Sequence, residues 1–151
     1  MVSIGKPEGT GQIRWESADP HAKPVIESRL LDHAGDRAQA VEALHRAYEL
    51  SLSKVMRDLA RPVLPFPWRI RDRDALNEAI RSYSDSGYHP CGTAPMGPED
   101  DPIAVCDGRG RVHGFDNLFV GDASLFPTIP SVNIHLPTLM VAERIATFLE
   151  N

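Results

Sequence analysis

A histidine, a cysteine and a threonine stand within one short stretch, Gly87-Tyr88-His89-Pro90-Cys91-Gly92-Thr93-Ala94-Pro95-Met96-Gly97. A second stretch, Pro130-Ser131-Val132-Asn133-Ile134-His135-Leu136-Pro137-Thr138, adds an asparagine and another histidine, and Cys106 and His113 lie between the two. These residue types admit metal ligation, a Cys/His nucleophile pair, or proton transfer by a histidine. Structural zinc sites bring their ligands in pairs such as C-x2-C with H-x3-5-H. Here His89 and Cys91 are separated by one residue, and Cys106 and His113 by six, which fits poorly. An extended segment would send residues 89 and 91 to opposite faces, so their side chains would not meet as a nucleophile and its base. There is no G-x-S-x-G elbow for a serine nucleophile. Cys91 and Cys106 read as small core residues.

Phosphate cradles are missing too. Gly108-x-Gly110 lacks a third glycine and a following helix, and Gly9-x-Gly11 has no preceding strand. Neither is a dinucleotide-binding fingerprint. What remains is proton chemistry. Asn133 and His135 fall just before an expected helix, whose start carries partial positive charge and free N–H donors suited to developing negative charge. A loop histidine at 89 with an Asn/His pair there could handle a proton while the helix stabilises an anion. The alternative is structural, with Asn133 and His135 capping the helix and His89 satisfying a buried carbonyl. Spacing alone leaves both open.

Three regions must position these groups. Residues 1–35 are loop-rich, with Gly5, Pro7, Gly9, Gly11, Pro20 and Pro24, and Gln12-Ile13-Arg14-Trp15-Glu16 alternates with the period of a half-buried strand. Ser17-Ala18-Asp19-Pro20 is expected to turn. The next region is helical. Asp36 and Gln39 resemble a capping box, and Val41, Leu44, Tyr48, Leu52, Val55 and Leu59 form one apolar stripe of a long helix. Pro62, Pro65 and Pro67 are expected to end it, and a shorter helix follows near Asp74–Tyr83, with Leu76, Ile80 and Tyr83 on one face. From about Gly87 the chain changes character: seven glycines and seven prolines fall between Gly87 and Pro137. Such density breaks regular structure, yet Leu118-Phe119-Val120 ends at Gly121-Asp122 like a buried strand of a parallel sheet. Pro137 is expected to open the last helix, whose apolar positions are Leu139, Ala142, Ile145, Ala146 and Leu149.

The chain of 151 residues, with an ordinary hydrophobic share of 42% and charged share of 25%, suits one soluble domain. A net charge of -5 without a basic run argues against a nucleic-acid surface. No apolar run approaches membrane-spanning length, and MVSIGKPEGTGQ lacks the apolar core of a signal peptide. Two cysteines make no disulfide framework, so a cytoplasmic location is expected.

Several motifs in order carry a family resemblance. His89-Pro90-Cys91-Gly92-Thr93-Ala94-Pro95-Met96-Gly97 resembles the H-x-x-G-T-x-x-M-G signature of the glucose-methanol-choline (GMC) oxidoreductases. Arg111-Val112-His113-Gly114-Phe115-Asp116-Asn117-Leu118-Phe119-Val120-Gly121-Asp122-Ala123-Ser124 is similar to their R-V-x-G-x-x-N-L-x-V-x-D-A-S run. Phe126-Pro127-Thr128-Ile129-Pro130-Ser131 and Pro137-Thr138-Leu139-Met140-Val141-Ala142-Glu143 follow in the family's order, and Ser17-Ala18-Asp19-Pro20 with Pro24 resembles the start of its C-terminal region.

The resemblance implies an FAD enzyme oxidising the CH–OH group of an alcohol or sugar. His89 would take the hydroxyl proton while a hydride passes to flavin N5, and Asn133 would hydrogen-bond the substrate oxygen. Asp122 and Ala123 would meet the ribityl and pyrophosphate portion of FAD. Thr138 and Leu139 would bring backbone N–H groups toward flavin N1 and the C2 carbonyl. His135 stands where many members carry Asn, and would contact flavin or substrate. The implied fold is α+β, an antiparallel substrate-domain sheet packed by helices, with a C-terminal strand and helix that would complete an FAD-binding domain. Residues 1–110 would be mainly substrate-binding, and residues 111–151 would contribute to the flavin site. The family's N-terminal Rossmann-type FAD domain, with its G-x-G-x-x-G, is expected to be absent from this chain. Two roles follow: the C-terminal part or small subunit of a GMC oxidoreductase that needs an FAD-binding partner, or a non-catalytic orphan fragment or interaction module. An exposed apolar patch near Leu118–Val120 and the Leu139–Leu149 helix would mark the partner interface.

Overall fold

The computed structural model describes residues 2–59 and 70–150. Its described elements are β1 (Gln12–Arg14), β2 (Val25–Glu27), α1 (Ala34–Ser51), α2 (Lys54–Arg57), α3 (Arg73–Tyr83), a 3-10 turn (Ala123–Leu125) and α4 (His135–Leu149). This is an α+β chain, with a two-stranded antiparallel sheet and four helices among the described residues. Two compact units divide it, Met1–Gly87 and Tyr88–Asn151. The functional division expected at residue 110 falls inside the second unit.

In the first unit, β1 and β2 pair as Gln12↔Glu27, Ile13↔Ile26 and Arg14↔Val25. Asp19 closes the connection, accepting at Oδ1 from the His21 N–H and at its carbonyl from the Ala22 N–H. The core joins Leu31 to Val41 of α1 and to Leu76 and Ile80 of α3, with Ile4, Ala40 and Leu44 against it. The Asp72 side chain accepts from the Asp74 and Ala75 N–H groups and so caps α3.

The long apolar stripe stops being core after Tyr48. Ser53 accepts the Met56 N–H at its hydroxyl and starts the short α2, leaving Leu52, Val55 and Leu59 exposed. The expectation that Pro62, Pro65 and Pro67 end the helix lies outside the described residues. Asp36 forms no capping box. α1 begins at Ala34 after His33, and the Asp36 carboxylate, 2% exposed, accepts instead from the backbone N–H groups of Glu8 at 2.9 Å and Gly9 at 2.8 Å. A residue read as a local cap is therefore a long-range tie between the N-terminal segment and α1.

The second unit is built of bridges and turns around a core of Cys106, Leu125 and Ile145, packed by Ala94, Met96, Val112, Val120, Val141 and Phe148. Leu118-Phe119-Val120 does not run as a parallel strand here. The chain reverses after Val112, so Arg111 bridges Phe119 antiparallel, with Val112 N–H donating to Leu118 at 2.9 Å and Val120 N–H to Gly110 at 2.8 Å. Gly110 is required at this crossing. Its φ is +75°, and a Cβ there would lie 2.5 Å from the Val120 carbonyl oxygen. In the last turn of α4 the guanidiniums of Arg109 and Arg144 lie 4.8 Å and 4.6 Å from the centre of the Phe148 ring. Exposed apolar side chains remain at Phe115, Leu118, Leu136, Leu139, Met140 and Leu149. Among the described residues no helix is long and apolar enough to cross a membrane.

Two substitutions test these ties by chemical denaturation. Asp36→Ala leaves the Glu8 and Gly9 donors without their carboxylate and is expected to cost about 1–3 kcal/mol. Gly110→Ala forces a left-handed backbone and a backbone collision together, and is expected to cost more than about 1 kcal/mol. Unchanged midpoints would refute either assignment.

Candidate active site

The segment after His89 is laced to the turn that holds Asp122. The N–H groups of Gly92, Ala94 and Met96 donate to the carbonyls of Ala123, Ser124 and Leu125 at 3.0, 3.0 and 2.9 Å. Side chains play no part in these bonds, which is why a stretch rich in Gly and Pro can make them. Gly92 has φ of +72°, and a Cβ on it would meet the Phe126 carbonyl oxygen at 3.0 Å, so the approach demands a glycine. Tyr88, next to His89, also has a left-handed backbone, φ +58°. Such a conformation costs a non-glycine residue about 1–3 kcal/mol and tends to gather at working sites.

From this frame His89 reaches a residue 44 positions downstream: its Nε2 lies 3.2 Å from Nδ2 of Asn133. Both side chains are exposed. Oδ1 of Asn133 accepts the N–H of His135, the first residue of α4, at 3.0 Å. The two histidine readings left open by spacing thus divide by residue. Asn133 does bond the helix start, but His89 faces the Asn133 amide rather than a buried carbonyl.

α4 begins two residues earlier than proline spacing suggests. Ile134 precedes it and Pro137 is its third residue, where a missing N–H still costs nothing. The consequence reaches Thr138. Its N–H donates to the Ile134 carbonyl at 2.9 Å and its hydroxyl to the same oxygen at 2.7 Å. The Thr138 N–H is thus engaged within the helix, and Leu139, one residue further on, lies deeper in it. No acidic residue occupies the first turn, so the positive end of the helix is not neutralised from within.

Asp122 sits at the head of the 3-10 turn, and its Oδ1 accepts both the Ser124 hydroxyl at 2.6 Å and the Ser124 N–H at 2.8 Å. The Ser124 hydroxyl, then its N–H, hold the carboxyl below the usual value against a smaller opposing effect of burial. Ser124 was not singled out from sequence, although Asp followed two residues later by Ser is a recognisable local hydrogen-bonding pattern. Ala123 is half-buried and gives its carbonyl to Gly92.

The other candidates go elsewhere. Cys106 is fully buried in the core, and burial, then the nearby Asp107 and Asp122 charges, push its thiol up. Burial pushes the Cys91 thiol up as well, which disfavours the thiolate a nucleophile needs. His113 Nε2–H donates to the Gly97 carbonyl at 3.1 Å. Among the described residues no three His, Cys, Asp or Glu side chains converge as a metal site. A groove of about 520 Å³ lies far from this chemistry in sequence, beside Ile4, Ala38 and Ala43 and the ion-paired Glu42 and Arg46 of the first unit.

Loop histidine, amide partner and helix start are thus linked by hydrogen bonds, and the ordered Asp122 carboxylate stands on the turn laced to the segment after His89. The GMC oxidoreductase family model, in its C-terminal form, matches residues 7–142, and the chain belongs to that family. It is 37% identical over 146 residues to an oxygen-dependent choline dehydrogenase of Chromohalobacter salexigens, covering 96% of this chain and 26% of the relative. Among solved structures it is similar to an FAD-dependent oxidoreductase from Chaetomium thermophilum, with 25% identity and TM-score 0.87 over 96% of this chain and 25% of that one. An Aspergillus oryzae formate oxidase, studied for its FAD modification, aligns with 26% identity and TM-score 0.86 over 97% of this chain and 26% of that one. The chain spans about a quarter of the length of these relatives.

Titration of Asp122 checks the local electrostatics. A carboxyl with a lowered folded value stabilises the fold above its unfolded value of about 3.9, and that stability is lost as pH falls through the folded value. Ser124→Ala removes the largest lowering influence, so the Asp122 carboxyl should titrate at higher pH by carbon-13 NMR and its contribution to stability should shrink. An unchanged titration would exclude the Ser124 hydroxyl as the cause.

Proposed function

We propose that this chain is the C-terminal, substrate-facing part of an FAD-dependent GMC oxidoreductase acting on the CH–OH group of a small alcohol or sugar. The FAD-binding domain would come from further polypeptide or from a partner subunit. The observation that carries the reading is the His89–Asn133 contact, made across 44 residues by two side chains that no core packing needs.

The donor set suits part of a flavin cofactor. The ionised Asp122 carboxylate suits hydroxyl groups of the ribityl or ribose portion, with Ala123 beside it. The first turn of α4, reached through Asn133 and His135, suits anionic charge. Thr138 and Leu139 would act through the helix field rather than as free donors. No glycine cradle for a pyrophosphate stands in the sequence, so that part of the site must be supplied from elsewhere. When bound, FAD would supply the acceptor for the hydride of the carbinol carbon.

The chain's own residues would do the rest. The substrate hydroxyl would enter between His89 and Asn133, donate its proton to His89 Nε2, and accept a hydrogen bond from Asn133 Nδ2. As the proton leaves, Asn133 would stabilise the oxygen while it becomes a carbonyl. Choline is a reasonable first substrate to assay, given the name of the relative from Chromohalobacter salexigens. The exposed Leu136, Leu139 and Met140 on α4, with Leu118, would meet the FAD-binding domain. The two free cysteines fit a reducing, cytoplasmic setting.

Purification of the chain with and without a neighbouring G-x-G-x-x-G polypeptide, followed by flavin absorbance, tests the reading. Yellow protein from the pair that oxidises an alcohol is expected, and colourless protein in both cases would overturn it. In the active assembly His89→Ala should lower alcohol oxidation by at least ~10²-fold, typical of losing a general base. Unchanged turnover would remove His89 from that role.

A further inference from the structure

The amide of Asn133 can be oriented without ambiguity from its neighbours. The peptide N–H of His135 can only donate, so the atom it meets at 3.0 Å must be the carbonyl oxygen Oδ1. The opposite end facing His89 is then the NH2 group, which can also only donate. Nε2 of His89, 3.2 Å away, must therefore be the acceptor. A neutral imidazole that accepts at Nε2 carries its proton on Nδ1.

The sequence of constraints runs from a backbone group fixed by α4, through one side chain, to the protonation pattern of a ring 44 residues upstream. Backbone lacing at Gly92, Ala94 and Met96 fixes the other end, because it holds the segment that follows His89 against the Asp122 turn. We propose that Asn133 is a positioning residue: by binding the His135 N–H at the start of α4, it holds His89 in the Nδ1–H tautomer, with the Nε2 lone pair unprotonated and accepting from the Asn133 amide until a substrate hydroxyl takes that place. The proposal rests on His89 being the base, but its geometry lies wholly within this chain. The opposite tautomer would present N–H to a substrate hydroxyl and could not take its proton.

Asn133→Asp separates the two functions of the amide. A carboxylate of the same shape still accepts the His135 N–H, but offers His89 no donor and instead attracts an N–H. Asn133→Leu removes both functions. Long-range nitrogen-15/proton NMR of the whole labelled chain, at about pH 8 where free histidine is neutral, distinguishes the tautomers and the imidazolium. His89→Gln assigns the signals by removing one set.

The wild-type chain is expected to show Nδ1–H at His89. Asn133→Asp should convert it to the Nε2–H form or the imidazolium, with the remaining histidine signals unmoved. Asn133→Leu should release it to the tautomer mixture of an unconstrained imidazole. Nε2–H in the wild type would overturn the proposal, as would Nδ1–H persisting in Asn133→Asp, and either result stands even if the Leu variant does not fold. Loss of the predicted flavin binding with the tautomer pattern intact would sink the oxidoreductase reading and leave the positioning role in place.

Discussion

Everything in the second unit depends on three backbone hydrogen bonds. The donors at Gly92, Ala94 and Met96 run along one edge of an irregular segment, and the acceptors at Ala123, Ser124 and Leu125 run along a turn. This zipper fixes the start of the His89 loop relative to Asp122, and Leu125 carries it into the core with Cys106 and Ile145. Ile145 belongs to α4, so the helix that begins with His135 is registered against the same turn. One short run of main-chain bonding thereby links the segment that follows His89, the Asp122 carboxylate and the helix start.

The first unit was legible in proportion to how local its causes are. Leu76 and Ile80 recur with helical period and are buried as that period requires. Asp72 was not read as a cap, yet it is one, and α3 begins within one residue of the expected position. The stripe of α1 misled beyond Tyr48 because apolar spacing records what could pack, while the break at Ser53 is made by a hydroxyl competing for a backbone N–H. Asp36 misled for the opposite reason. Its acceptors serve Glu8 and Gly9, partners 28 and 27 residues away, and no spacing rule encodes such a partner.

The site divided in the same way. Residue type and motif order single out His89, Asn133 and Asp122, and the structure brings the first two within hydrogen-bond distance. The parallel-sheet reading of Leu118-Phe119-Val120 concerned a sheet completed from outside this chain; within the chain the segment's neighbour is Arg111, which arrives by a tight reversal and pairs antiparallel. The start of α4 was misplaced because Pro137 is tolerated at any of the first helical positions, so it marks a beginning only to within a turn. What no sequence rule could supply is the direction of the Asn133 amide. That depends on which group lies at each end of it: the His135 N–H is a local partner two residues on, but the His89 ring comes from 44 residues upstream.

The two arginines beside Phe148 have an electrical consequence for the far end of the same helix. A helix carries about half a positive charge at its start and half a negative charge at its end. Two guanidiniums within 5 Å of the Phe148 ring bring positive charge toward the negative pole, against the acidic Glu150 at the C-cap, while no acid stands in the first turn. The net charge near that end opposes the negative pole, so the positive terminal is the less compensated of the two. That terminal is the turn that carries His135, so an arginine pair at one end of α4 strengthens the field felt by a charge forming at the other.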